Sequence, residues 1–347
     1  MILVGKKIRM QLQLLKKRWT SFVFQLLLIL FIAAGAGWYM FNMPGHSYRG
    51  ALPPLSQEEI RIRDRLVVHV NHLAGKIGER NIWHDRNLQL AAEYITSAFK
   101  KLGYSVSEQD YRVHDSSVKN IIAERRGVLH PEEIIVIGAH YDSIIGSPGA
   151  DDNASGVATI LECARLLATI EPKRTVRFIA FVNEEPPFFY TDQMGSYRYA
   201  QAAKQKQENI VAMLSIESIG YYSDKPHSQY YPFPFSFFYP HTANFIGFVG
   251  NLSSRTLTRA IVAAFRQHAS FPSEGIAAPS WIMGVGWSDQ WSFWKQGYRA
   301  VMVTGTALFR NPHYHTEYDT PETLDYDRMA RVVNGLMHVI QDLANQK

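Results

Sequence analysis

Several histidines and carboxylates in this sequence directly follow apolar runs of the kind that form buried strands. Gly138-Ala-His140-Tyr-Asp142-Ser comes after Ile134–Ile137, and the run Phe178-Ile-Ala-Phe-Val ends in Asn-Glu184-Glu185-Pro-Pro. An imidazole can bind a metal ion while a nearby carboxylate fixes its orientation. Adjacent glutamates repel each other unless a cation or a proton lies between them. Both strings are compatible with metal binding. Each also has a simpler interpretation, because the His-x-Asp pair could be purely structural and the two glutamates could lie in a solvated acidic loop.

Three further strings carry candidate ligands. Gly149-Ala-Asp151-Asp152-Asn-Ala-Ser-Gly precedes a predicted helix, and a cap would need only one of its two acids, whereas a carboxylate bridging two cations would explain a second. Glu217 closes the apolar run Met213-Leu-Ser-Ile. The loop Asn311-Pro-His-Tyr-His-Thr offers His313 or His315, and the spacing alone does not choose between them.

Two histidines and three carboxylates, with one glutamate to spare as a general base, form a nitrogen and oxygen ligand set that suits zinc. Cys163 is the only cysteine, so sites built from several cysteines are excluded. Five protein ligands exceed the three that one catalytic zinc usually has. If one carboxylate is shared, each of two zinc ions has three protein ligands, and we therefore predict two ions per chain.

Predicted strands and helices alternate after residue 115, and this alternation predicts an α/β fold with a largely parallel sheet. Strand-like segments are followed by residues of the candidate site, as expected for open α/β sheets. A long aromatic loop is predicted at Tyr221–Pro240. The buried position that we expect for Cys163 lies on the helix predicted at 155–169.

The N-terminal region carries the signature of a membrane segment. No charged residue lies between Arg18 and Arg49, and Phe22–Ala34 is almost wholly apolar. About 20 helical residues cross a hydrocarbon core, and the preceding cations are expected to stay in the cytoplasm. We predict a basic cytoplasmic segment at 1–18, a transmembrane helix at 19–41, a linker at 42–56 and a catalytic domain at 57–347 outside the cytoplasm. A cleaved signal peptide and a buried helix are the alternatives.

The net charge of +5 also arises at the N-terminus. Six basic residues lie within residues 1–18, which contain no acidic residue, and the remaining 30 basic and 31 acidic residues nearly cancel. A nucleic-acid-binding surface is therefore not predicted. The expected partners are peptide substrates and the lipid bilayer.

From about His69 to its C-terminal helix, the chain resembles the co-catalytic di-zinc aminopeptidases, relatives of glutamate carboxypeptidase II and glutaminyl cyclase. The strings above carry the resemblance, together with His315-Thr-Glu-Tyr-Asp-Thr and Ser288-Asp289 followed by Ser292-Phe-Trp. The resemblance implies a three-layer α/β fold with a mixed, mostly parallel central sheet. It also implies release of N-terminal amino acids from peptides by a zinc-activated water.

The resemblance assigns a role to each candidate residue. His140 and Glu217 would bind one zinc ion, Glu185 and His315 the other, and Asp152 would bridge them. Glu184 would be the general base, and Asp142 would orient His140. Glu217 stands where the simple aminopeptidases commonly have aspartate, which leaves the substrate class open.

Three alternatives to an aminopeptidase remain. A glutaminyl cyclase shares the fold but typically uses one zinc ion, and a carboxypeptidase or dipeptidase is compatible with Glu217. A non-catalytic membrane-displayed binding protein is disfavoured because every ligand position carries a side chain that can bind a metal.

Overall fold

The computed structural model describes residues 2–345, which form two compact units that divide after Asn42. The first unit is one helix, α1 (Ile2–Phe41). Within it Leu15–Phe41 has a mean hydropathy of 2.0 and none of it is buried. By length and composition this helix can cross a membrane, and a signal sequence would have the same properties.

The second unit contains eight strands and seven further helices among the described residues, besides shorter helical turns. The helices are α2 (Gln57–Val70), α3 (Asp85–Lys101), α4 (Gly156–Leu167), α5 (Gly195–Gln205), α6 (Arg255–His268), α7 (Gln290–Lys295) and α8 (Tyr326–Asn345). The strands are β1 (Ser105–Val113), β2 (Ser116–Arg125), β3 (His130–His140), β4 (Arg174–Phe181), β5 (Asn209–Glu217), β6 (Ile246–Asn251), β7 (Ser273–Ala278) and β8 (Ala300–Thr304).

All eight strands form one mixed sheet in the order β1-β2-β4-β3-β5-β8-β6-β7. The central strands β4, β3, β5 and β8 are mutually parallel, whereas β2 joins β4, and β6 joins β8, in antiparallel pairs. The C-terminal ends of the four parallel strands therefore meet at one edge of the sheet. Such an edge is where ligands bind in open α/β sheets.

Helices cover both faces of the sheet. Alternate residues of β3 point to opposite sides: Ile135 and Ile137 belong to a large core with α2, α3, α4, α6 and α8, while Ile134 and Val136 pack with residues of α5 and α7. Burial on both faces explains why the central strands read as continuous apolar runs. The predicted three-layer α/β fold with a mostly parallel, mixed sheet is confirmed.

Sequence patterning did not predict the strands β1 and β7. β1 is a sheet edge whose residues are mostly exposed, so its sequence Ser-Val-Ser-Glu-Gln-Asp-Tyr-Arg-Val lacks a buried apolar face. β7, at the other edge, has only six residues, mostly small. An edge strand needs less apolar surface than a central one because only one neighbour pairs with it.

Candidate active site

The candidate residues converge at the C-terminal edge of the parallel strands. His140 is the last residue of β3, Glu217 is the last residue of β5, and Glu184 and Glu185 follow β4 by three and four positions. Asp152 lies in the turn before α4, and His315 lies in the loop between β8 and α8. These six residues are brought together, although 175 positions separate the first from the last.

Two groups of potential ligand atoms share Asp152. His140 Nε2 lies 3.2 Å from Asp152 Oδ1 and 3.4 Å from Glu217 Oε2. His315 Nε2 lies 3.1 Å from Asp152 Oδ2 and 3.3 Å from Glu185 Oε2. Within each group of three residues, the ligand atoms lie within 4.8 Å of one another. The two carboxylate oxygens of Asp152 thus face different imidazoles, Oδ1 that of His140 and Oδ2 that of His315.

Only one histidine of the loop before α8 joins these groups. His315 contacts Asp152 and Glu185, whereas the ring of His313 packs edge-on against Tyr221 at 6.3 Å. The backbone of His315 has a φ of 59°, a left-handed conformation that is uncommon for a non-glycine residue. Asn183 and Ser218, which adjoin Glu184 and Glu217, also have positive φ values. Such conformations concentrate at functional sites because the surrounding structure must hold them in place.

Four atoms of these groups are buried without any hydrogen-bond partner among the described residues. They are His140 Nε2, Asp152 Oδ1, Glu185 Oε1 and His315 Nε2. Buried polar atoms of folded proteins are nearly always paired, because leaving one unpaired is costly. Three of them, His140 Nε2, Asp152 Oδ1 and His315 Nε2, are among the atoms that face one another across the site, which is the pattern expected of residues that bind cations.

Burial and crowding displace the pKa values of these groups. Burial and the charge of Asp152 raise the pKa of Glu185 to about 7, and burial raises that of Glu184 well above its usual range. Burial opposes protonation of His140 and His315, but the surrounding carboxylates outweigh it and raise the pKa of His315 to about 10. Without a cation, the site therefore retains protons at neutral pH.

Asp142 holds the glutamate pair as well as lying beside His140. Its two carboxylate oxygens accept hydrogen bonds from the backbone N–H groups of Glu184 (3.2 Å) and Glu185 (3.1 Å). His140 Nδ1 lies 3.2 Å from the Asp142 carbonyl oxygen and 3.6 Å from its carboxylate. This single residue therefore couples the end of β3 to the turn that follows β4.

Three further residues contact the backbone at Asp152 or the carboxylate of Glu217. The carboxylate of Asp319 accepts hydrogen bonds from the backbone N–H groups of Asp151 (2.8 Å) and Asp152 (3.0 Å). Glu217 accepts one hydrogen bond from Ser218 Oγ (2.6 Å) and one from Ser288 Oγ (2.7 Å). Sequence reasoning missed these roles, because nothing in the spacing of Asp319 or Ser288 indicates which backbone or carboxylate each contacts.

Arg80 is a buried cation that joins the segment after β3 to the turn before α4. Its guanidinium donates to the carbonyl oxygens of Tyr141 (2.7 Å) and Gly149 (2.7 Å), and also to that of Pro148. Burial lowers its pKa to about 10. A lone arginine in an irregular segment gives no signal in the sequence, and only the fold identifies this one.

Asp289 is a further buried acid near the site. Neither of its carboxylate oxygens has a hydrogen-bond partner among the described residues, and burial raises its pKa to about 7. It adjoins Ser288, which contacts Glu217. Its string belongs to the family resemblance, but no role was predicted for it.

An apolar pocket opens beside Glu217. Its empty volume, part of which is open to solvent, is about 900 Å³. The walls come from the aromatic loop, β6, β7, β8 and the segments that follow β7 and β8, and include Phe235, Phe248, Met302 and Phe309. The only charged side chains among the described residues that line it are Glu217 and Glu274.

Comparisons with known proteins agree with this geometry. The sequence profile of peptidase family M28 matches residues 120–340. The chain is 37% identical over 286 residues to the uncharacterized protein YfbL of Escherichia coli, covering 80% of this chain and 87% of that protein.

Solved structures share the fold. A zinc aminopeptidase from Bacillus subtilis superposes with a TM-score of 0.62 at 15% identity, covering 82% of this chain and 95% of that one. A glutaminyl cyclase from Fimbriiglobus ruber superposes with a TM-score of 0.60 at 18% identity, covering 86% and 99%. Zinc aminopeptidases and glutaminyl cyclases, two of the three kinds of enzyme that the sequence resemblance named, thus have this fold. The chain belongs to peptidase family M28 and, as the sequence strings predict, it is a metal-dependent peptidase.

Proposed function

We propose that the protein is a zinc aminopeptidase that uses two zinc ions and releases apolar amino acids from the N-termini of peptides. The observation that carries this proposal is the pair of ligand groups sharing Asp152, in which each carboxylate oxygen faces one histidine. His140 and Glu217 would bind one ion, and Glu185 and His315 the other.

The charge of the site supports two divalent cations. Asp152, Glu184, Glu185 and Glu217 carry four negative charges when ionised, and they lie buried around two imidazoles. Two zinc ions would neutralise these charges and satisfy the four unpaired ligand atoms. The nitrogen and oxygen ligands also match those of catalytic zinc sites.

Glu184 is positioned to transfer protons during hydrolysis. Its Oε2 lies 3.8 Å from His140 Nε2, at the edge of the ligand groups, and no ligand role is needed for it. Bound zinc would supply Lewis acidity, lowering the pKa of a water and polarising the peptide carbonyl. Glu184 would accept the proton of the attacking water and return it to the leaving amine. The hydrogen bond that the backbone N–H of Glu184 donates to the Asp142 carboxylate helps to hold this residue in place.

The pocket favours the amino end of a peptide over its carboxyl end. A carboxypeptidase must pair the terminal carboxylate of its substrate, usually with an arginine or lysine. No such side chain is among the described residues lining the pocket, whereas Glu274, which is not one of the proposed zinc ligands, can supply negative charge for an ammonium group. The aromatic and aliphatic walls suit an apolar side chain.

We also propose that α1 anchors the enzyme in a membrane, with its N-terminus in the cytoplasm and the catalytic unit outside. The six basic residues before Trp19 support this orientation, and Trp38 and Tyr39 suit the opposite headgroup region. A cleaved signal sequence would place the same unit outside the cytoplasm but leave it soluble.

The proposed activity is tested on the full chain in detergent micelles. We expect hydrolysis of leucyl- and phenylalanyl-anilides, little hydrolysis of lysyl- or glutamyl-anilides, and none of N-acetyl-leucyl-anilide. Chelation should abolish the activity and zinc should restore it, with elemental analysis giving two zinc ions per chain. A single zinc ion, together with cyclisation of N-terminal glutamine and no hydrolysis, would instead identify a glutaminyl cyclase.

A further inference from the structure

Four exposed aromatic residues lie on two segments that also line the proposed substrate pocket. We name Tyr230, Phe233, Phe237 and Trp281 the aromatic rim. Phe233 is 84% exposed, Phe237 is 76% exposed and Trp281 is 82% exposed. None of the four lines the pocket, but their neighbours Tyr231, Phe235 and Met283 do. The rings of Phe233 and Phe237 lie 6.0 Å apart, and neighbouring exposed apolar side chains of this size mark an interaction site.

The two segments that carry the aromatic rim contain no charged residue. They are Gln229–Pro240 and Gly275–Trp287, together 25 residues. Protein interfaces usually have a polar border around an apolar centre. Tryptophan, tyrosine and phenylalanine without nearby charges are instead typical of surfaces that lie in the headgroup region of a bilayer.

The contacts made by residues 43–47, where the catalytic unit begins, also favour a bilayer as the partner of the aromatic rim. Arg266 donates to the carbonyl oxygen of Pro44 (3.0 Å), and the Ser273 backbone N–H donates to Ser47 Oγ (2.9 Å). The side chain of Met43 lies over Gly275, about 3.0 Å from where a Cβ atom would be. Residues 43–47 are therefore fastened to β7, and Met43 follows the last residue of the apolar helix by only two positions.

The aromatic loop contacts the same residue of β7. Tyr239 Oη donates to the carbonyl oxygen of Gly275 at 2.9 Å. Phe233 precedes Tyr239 by six positions, which limits its distance from this contact to about 20 Å of extended chain. The segment that leads to the membrane helix and the segment that carries the aromatic rim thus meet at Gly275.

We propose that the aromatic rim inserts into the headgroup region of the membrane that holds α1, so that the substrate pocket faces peptides adsorbed on the bilayer. This inference rests on the proposed membrane anchor. The zinc chemistry of the site does not enter it.

Site-specific fluorescence on the full chain in phosphatidylcholine vesicles tests the proposal. Phe233→Cys carries an environment-sensitive label, and Leu129→Cys is the matched control. Leu129 is 61% exposed in the native protein and directly precedes β3, at the N-terminal ends of the parallel strands. The native Cys163 is buried, and burial raises the pKa of its thiol, so it should not react. We expect lipids brominated near the headgroup to quench the label at 233 but not the label at 129.

Two results would overturn the proposal. One is equal accessibility to water at both labels in vesicles that carry the protein, which is also the result expected if another protein covers the rim. The other is failure of the full chain to float with vesicles, which would contradict the anchor as well. Hydrolysis of a soluble leucyl-anilide, measured in the same samples, reports the proposed activity independently.

A double variant provides a functional measurement. Phe233→Ser with Phe237→Ser should hydrolyse the soluble leucyl-anilide at the native rate, because neither side chain lines the pocket. Its rate on a membrane-adsorbed amphipathic peptide with N-terminal leucine should fall about tenfold, since two large apolar side chains are lost from the interface. Equal rates for the native chain and the variant on the adsorbed peptide would contradict the proposed docking.

Discussion

Replacing Ser288 with alanine should weaken metal binding without removing any ligand. The Ser288 hydroxyl donates to Glu217 Oε2 at 2.7 Å, and both residues are buried. A hydrogen bond to a charged group contributes about 1.5–3 kcal/mol, which corresponds to roughly a 10- to 150-fold change in an equilibrium constant. Substitutions of residues that hold metal ligands typically weaken affinity 10- to 100-fold. We therefore expect the ion beside His140 and Glu217 to bind about 10- to 100-fold more weakly.

Ser292 provides a matched control for this substitution. It is also fully buried, and its hydroxyl lies 2.9 Å from that of Ser196, just as the Ser288 hydroxyl lies 3.1 Å from that of Ser215. Among the described residues, the Ser292 hydroxyl makes no hydrogen bond with Glu217. Ser292→Ala should therefore reduce the free energy of unfolding by about 1 kcal/mol and leave metal affinity unchanged.

The assay is a zinc titration of metal-free protein in competition with a chelating indicator. Native protein and Ser292→Ala should show two strong binding steps, whereas Ser288→Ala should show one strong and one weakened step. Thermal unfolding of both metal-free variants measures the structural cost separately. Native zinc binding by Ser288→Ala, or the same weakening in both variants, would refute the argument that the Ser288 hydroxyl orients Glu217.

Three further predictions concern catalysis, stability and pH. Glu184→Gln should bind zinc normally but lower kcat by about 10²- to 10⁴-fold, because the amide cannot accept the proton; near-native turnover would exclude Glu184 as the base. Arg80→Met should lower the free energy of unfolding in urea by about 2–6 kcal/mol, because the carbonyl oxygens of Tyr141 and Gly149 lose their donor. Substitution of the exposed Arg86, Arg86→Met, should lower the free energy of unfolding by less than about 0.5 kcal/mol. Equal losses in the two variants would contradict the stabilising role of the Arg80 hydrogen bonds. Zinc affinity should rise from pH 6 to pH 9, because bound protons compete with zinc at lower pH. In the metal-free protein, burial raises the pKa of Glu185 to about 7. The carboxylates around His315 outweigh the opposing effect of burial and raise the pKa of His315 to about 10. A pH-independent affinity, measured by the same titration, would show that protons do not compete.

The sequence alone determined the fold class and the composition of the candidate site. Continuous apolar runs such as Ile134–Ile137 identify central strands buried on both faces, and acids or histidines placed after them predict a site at the strand ends. The edge strands β1 and β7 lack that signal, because one exposed side or a short length removes the need for an apolar run. Local patterning is informative where burial is complete.

Only the tertiary structure decided which residues support the site. The family resemblance selects His315 over His313, which spacing alone left open, and the structure gives the physical reason: the loop before α8 brings His315 to Asp152 and His313 to Tyr221. The supporting contacts join residues that are between 61 and 167 positions apart in the sequence. They are those of Ser288 with Glu217, of Asp319 with the backbone at Asp152, and of Arg80 with two loops. Periodicity reports which side of its own strand or helix a residue occupies. Packing brings distant segments together, and this packing set the hydrogen bonds that hold the candidate ligands.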